Sequence, residues 1–261
     1  MSFVCSGRKF GKALPRSVVL SRKVVGMVEP FSRALCMTAD VEAYGSRSDP
    51  EKSAVQDKLA QVLRDAAQAA GLHRDRWLRQ PKGDEELAVI PNDEFEPYVV
   101  DQFIAALDRH LAAVNVGVPP SRRLRLRAAL HHGNAFPSAM GFGGQAVVHV
   151  SRLVNGAAVK QALIAAPDAN LAVVLSPEVF DHVVAHGHTS LSPRDFRKVE
   201  VVCKEITTSG WLRVPGADVH ALELGGSGSP RARRSAAGNR AVHNEFHDVV
   251  HANQANFGFQ G

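Results

Sequence analysis

Ala34-Leu35-Cys36-Met37-Thr38-Ala39-Asp40-Val41 decides the fold. The run is mostly apolar and reaches a carboxylate near its end, so it reads as a buried strand that delivers an acid to its tip. Asp49-Pro50-Glu51 follows as a helix start, with Asp49 as N-cap, proline at the first helical position and acid in the first turn. That helix is expected to run to about Ala70, with Val55, Leu59, Val62, Leu63 and Ala66 on one face and Gly71 closing it. Trp77 to Ile90 then gives two short runs about Gly83-Asp84, a β-hairpin with an acid at its tip.

Further out the alternation continues. Val100, Phe103, Ile104, Leu107, Leu111 and Val114 predict a helix over 97–114, and Leu124 to His131 predicts a strand. Gly141-Phe142-Gly143-Gly144 leads into a third helix that contains Ser151-Arg152-Leu153 and continues towards Ala165. A strand over Leu171–Leu175, a short helix opened by Ser176-Pro177-Glu178 and strands over 196–203 and 210–214 complete the pattern. These elements are the mark of an α/β or α+β domain over 34–216. Residues 217–241, rich in Gly, Ser and Arg, read as a linker, and 242–261 as a His- and Asn-rich tail.

The chain of 261 residues is 45% apolar and has a formal charge of +5. No run of apolar residues is long enough to span a bilayer. Cys5, Cys36 and Cys203 have no CxxC spacing and form no disulfide framework, which points to a reducing, cytoplasmic compartment. The positive charge is local. Residues 1–33 hold Arg8, Lys9, Lys12, Arg16, Arg22, Lys23 and Arg33 against Glu29 alone, which leaves 34–216 close to neutral. That basic segment reads as a disordered extension, either a targeting peptide or residues preceding a start at Met27 or Met37. A near-neutral domain argues against a polyanionic partner such as nucleic acid.

Two carboxylates, Asp40 at a strand end and Asp84 at a hairpin tip, suit a pair of divalent cations, because Mg²⁺ is held by one or two carboxylates plus substrate phosphate oxygens. Taken singly, each is an ordinary residue for its place, since Asp is common in turns and at strand ends. In the tail, His243, His247 and His251 have a spacing able to bind Zn²⁺ on a helix. The surrounding Asn and Gly disfavour that helix, and an interaction tail is the plainer reading.

The order of elements and motifs resembles the catalytic domain of class III nucleotidyl cyclases, the adenylate and guanylate cyclases, and also the cyclase-like proteins of actinobacteria. Ala39-Asp40-Val41-Glu42-Ala43-Tyr44 is similar to that family's first metal motif, and Lys82-Gly83-Asp84-Glu85-Glu86-Leu87-Ala88 to its second. Arg125 to Gly133 is similar to its Arg-x-Gly-Ile-His-x-Gly strand, and Gly144 to Leu153 to the helix carrying its catalytic arginine. The resemblance covers about 34–215 and implies an α+β domain, a ferredoxin-like, class III cyclase-type sheet, antiparallel-rich, with helices packed on one side of it. It further implies that Asp40 and Asp84, with the Val41 carbonyl, bind two Mg²⁺ or Mn²⁺ ions, that Arg152 is catalytic, and that Lys204 binds phosphate. The substrate would be a nucleoside triphosphate and the product a 3′,5′-cyclic monophosphate, made by a homodimer, as in bacterial signalling or antiphage defence.

Three positions depart from the family pattern. Its catalytic asparagine falls on Val148, its purine-selecting residue on Gln80 and that residue's partner carboxylate on Gly141. Two expectations stay open. Either Gln80, Lys82 or His149 reads a different base, or the chain is a degenerate cyclase that senses nucleotide or dimerises.

Overall fold

The computed structural model describes residues 32–203 and 206–225. Lys204, the linker arginines Arg231, Arg233 and Arg234, the tail histidines and nearly all of the basic N-terminal segment lie outside the described residues.

The elements follow one another as β1 (Ser32–Val41), α1 (Asp49–Ala69), β2 (Leu78–Lys82), β3 (Glu85–Ile90), α2 (Glu96–Tyr98), α3 (Ile104–Val114), β4 (Leu126–Ser138) and β5 (Gly141–Gly143). There follow α4 (Gln145–Asn155), α5 (Ala157–Ala165), β6 (Leu171–Leu175), α6 (Pro177–Val179), β7 (Arg197–Cys203) and β8 (Ile206–Arg213). The strands form one sheet in the order β2-β3-β1-β4-β6-β8-β7, with β5 paired to the end of β4. Only β4 and β6 run parallel; every other pair is antiparallel.

Helices cover both faces of the sheet rather than one. Leu35, Met37, Ala39 and Val41 of β1 point towards α1 and α3, where Leu59, Leu63, Phe103 and Leu107 complete a core. Ala34 and Cys36 point the other way, into a second core with Val150 and Leu153 of α4 and Val159 and Leu163 of α5. The reason is visible in β1 itself, which is apolar at consecutive positions and so needs cover on each side. Cys36 is buried there, and burial pushes its thiol up to about 12.

Other differences are local. Ser48, not Asp49, is the N-cap of α1, and its backbone N–H and hydroxyl donate to Glu51 Oε2 at 3.0 and 2.7 Å. The predicted helix over 97–114 contains a π turn at Val99–Phe103. The predicted third helix is two, broken at Gly156, where a Cβ would lie 2.6 Å from Val201 Cγ1. Beyond Gly216, Val219 and Leu224 are buried in the second core, and Arg197 Nη1 donates to the Leu222 carbonyl at 2.8 Å. The packed chain therefore continues into the segment whose composition suggested a linker.

Candidate active site

The register of the sheet gathers the candidate metal residues. Asp40 of β1 faces Glu85 of β3 on one side and Arg127 of β4 on the other. Gly83 takes the left-handed conformation (φ +68°) that the hairpin turn requires. The Val41 N–H then donates to the Asp84 carbonyl at 3.0 Å, fixing the hairpin tip beside the end of β1. Asp40 and Asp84 therefore meet, as the two motifs imply. Thr38 Oγ1 donates to Glu85 Oε1 at 2.8 Å and fixes a third carboxylate on the same edge.

Arg127 donates to Asp40 Oδ2 in a largely buried ion pair. Burial pushes the Asp40 carboxyl above the usual range, Arg127 opposes that, and the neighbouring Asp84 charge adds to it. Crowded carboxylates of this kind are relieved by a cation. Among the described residues, no group of three or more His, Cys, Asp or Glu is placed to hold a metal ion. Two aspartates nevertheless fit a hard divalent ion whose remaining ligands are phosphate oxygens and water.

Beside this edge lies a cleft of about 180 Å³ between the hairpin, β5 and α4. Gln80, Lys82 and Glu85 form its strand wall, Met140 and Phe142 its β5 side, and Val147 and Ser151 its helix wall. Gln80 Nε2 donates to the Met140 carbonyl at 3.1 Å. Gly141 (φ +115°) sits under Gln80, where a Cβ would lie 2.2 Å from its side-chain oxygen. The two positions flagged for base selection are thus neighbours, with Gln80 filling the space that a side chain at 141 would need.

On α4, Val147 and Ser151 take the cleft face, so Val148, His149 and Arg152 point elsewhere. Val148 is 42% exposed. His149 stacks on His131 of β4, with ring centroids 4.2 Å apart, rather than joining Gln80 and Lys82 in the cleft. His131 Nδ1 lies 3.5 Å from Glu178 Oε2. Burial lowers the His131 imidazole to about 4, with the positive charge of His149 adding to the effect, and burial lowers His149 as well. Arg152 is half-buried, and no hydrogen bond or ion pair joins it to Asp40 or Asp84.

No protein-family model matches the chain, and no curated protein matches it in sequence. Solved structures do match. The guanylyl cyclase Cya2 superposes with a TM-score of 0.50 at 14% identity, over 76% of this chain and 100% of that one. An adenylate/guanylate cyclase/hydrolase from Silicibacter pomeroyi gives 0.50 at 16% identity, over 71% of this chain and 99% of its own.

The chain has the fold of class III nucleotidyl cyclase catalytic domains.

Within this cyclase fold, Arg127 and Glu85 stand beside Asp40 at positions that sequence reasoning passed over. Both lie in quoted motifs, Arg127 in the strand similar to Arg-x-Gly-Ile-His-x-Gly and Glu85 next to Asp84. Only the register, which sets both opposite Asp40, brings them to it.

Proposed function

We propose that this protein is a nucleotidyl cyclase, acting as a homodimer on a nucleoside triphosphate. The observation that carries the reading is the convergence of Asp40 and Asp84, with Arg127 alongside, at the same edge of a cyclase-type sheet. The ribose 3′-oxygen attacks the α-phosphorus, the bond to the bridging oxygen of the β-phosphate breaks, the 3′-hydroxyl proton passes to solvent, and pyrophosphate leaves.

Asp40, Asp84 and the Val41 carbonyl would hold divalent ions, Mg²⁺ or Mn²⁺, which would supply charge neutralisation of the polyphosphate. Arg127, paired with Asp40, is placed to offer its guanidinium to a phosphate oxygen. Gln80 and Lys82 line the cleft that takes the base, with Val147 and Leu87 as its apolar walls. Arg152, from the partner subunit's α4, stabilises charge developing at the α-phosphate, and Lys204 binds phosphate. Cyclic-nucleotide signalling or antiphage defence is the cellular role this chemistry serves.

The test is to incubate the purified protein with each of the four ribonucleoside triphosphates and Mn²⁺ and to analyse products by mass spectrometry. A cyclic monophosphate from at least one of them is expected, and its absence from all four refutes the enzyme reading. One observation favours a second reading, a nucleotide-sensing module without turnover. Val148 leaves an exposed apolar side chain where the family pattern has a hydrogen-bonding one. That reading expects saturable, Mn²⁺-dependent nucleotide binding with no product.

A further inference from the structure

A second polar feature lies on the opposite face of the sheet, and none of the chemistry above uses it. A cavity of about 200 Å³ opens between the first half of α1 and the loop from α3 to β4. Val55, Val118 and Leu124 form an apolar floor, and Arg47, Lys58 and Arg122 stand around it. Ala39 and Val41 point to this face, so the intervening Asp40 points away from it.

The cations outnumber the acid. Glu51 is the carboxylate of the lining, and its Oε2 is taken by Ser48, while Oε1 stands 3.4 Å from Arg122 Nε. Arg47 is anchored through Nη1 and Nη2 to the carbonyls of Arg122 and Arg123, at 3.2 and 2.8 Å. Those acceptors carry no net charge, and Arg47 Nε is buried without a partner. Lys58 makes no ion pair among the described residues. A buried, unpaired guanidinium nitrogen beside a concave surface costs stability unless an acceptor arrives.

We propose that this cavity binds a small organic phosphate, with the phosphoryl group among Arg47, Lys58 and Arg122 and the apolar body on Val55 and Leu124. A phosphate monoester near neutral pH carries close to two negative charges, which matches the surplus of cations, and guanidinium forks suit its oxygens. The volume is below that of pockets for drug-sized ligands and suits a body of one ring.

The experiment is calorimetric titration of the full chain with phenyl phosphate at low ionic strength, with phenol as the uncharged comparison. Saturable one-site binding of phenyl phosphate is expected, with none for phenol. Lys58→Gln and Arg122→Gln, both at the surface, each weaken it about tenfold, the loss of one charge-assisted contact. Lys160→Gln on α5 and Asp40→Asn leave it unchanged. Absence of saturable binding, equal affinity for phenol, or full affinity in the Lys58→Gln/Arg122→Gln double variant overturns the proposal. A change of affinity in either direction with Asp40→Asn overturns it too, because it places the phosphate at the cyclase edge, where loss of that charge frees Arg127. The inference does not rest on the cyclase reading, and a protein without turnover still gives either result.

Discussion

Val148 is the residue at which the cyclase reading is most exposed. It stands half in solvent on α4, so replacing it costs little packing. A hydrogen-bond donor aimed at developing charge is worth roughly 10²- to 10³-fold in rate. Val148→Asn is therefore expected to raise cyclic product formation by about 10²-fold over the parent under the same Mn²⁺ conditions. An unchanged rate would show that position 148 no longer faces substrate.

His131 gives a second test, through stability. Its imidazole is held near 4 when folded, against about 6.5 when unfolded. Between those values the unfolded chain takes up a proton that the folded chain refuses. Stability is thus complete above about pH 6.5 and is lost as pH falls towards 4. The groups facing His131 are His149, Glu178 and His132, and Glu178 opposes the effect. After allowance for solvent screening the loss is of order 2 kcal/mol. Urea midpoints at pH 7.5 and 4.5 check this, and His131→Gln should flatten the difference whatever it does to the level.

The start of α4, the helix that walls the cleft, is fixed against β4 by a close backbone approach. Gly144, at the start of α4, has φ +114°, and a Cβ there would lie 2.3 Å from the Asn134 carbonyl oxygen of β4. Neither the backbone nor the neighbour can yield cheaply. Gly144→Ala is expected to destabilise the domain by about 3 kcal/mol, seen as a fall in Tm, and to loosen α4 from β4. Gly45, where an added Cβ meets nothing, serves as the comparison for a neutral glycine replacement.

At this scale the sequence was readable wherever a local rule decided the outcome. β1, the hairpin about Gly83-Asp84, α1 and β6 follow from period and turn chemistry, and the structure has them within a few residues. What escaped depends on neighbours distant in the chain. β4 runs on to Ser138 because β5 folds back on it, and Gly133, Asn134 and Pro137 give no strand signal of their own. The break at Gly156 comes from contact with Val201, and the encounter of Gln80 with Gly141 comes from the hairpin reaching β5. The placement of helices on both faces was legible in principle, because Ala34 to Met37 is apolar without alternation.

For the whole molecule the proposed role of Arg152 depends on a second copy of the chain. Asp40 and Asp84 meet within one chain through β1 and the hairpin, but Arg152 leaves them and lies near His149 on α4. Val148 and Met140 present exposed apolar surface nearby, at 42% and 89%. The proposed homodimer, by covering this surface, would set each chain's arginine against the other's aspartates, and an isologous interface would do so twice. Asp40→Ala and Arg152→Ala homodimers should then each be inactive by different losses. Mixing equal amounts and allowing subunits to exchange makes half of the dimers mixed, each with one intact centre of two, so about a quarter of parental turnover returns. If both residues act within one chain, no mixture recovers activity, and failure to recover at concentrations where exchange is seen by sedimentation rules out the shared site.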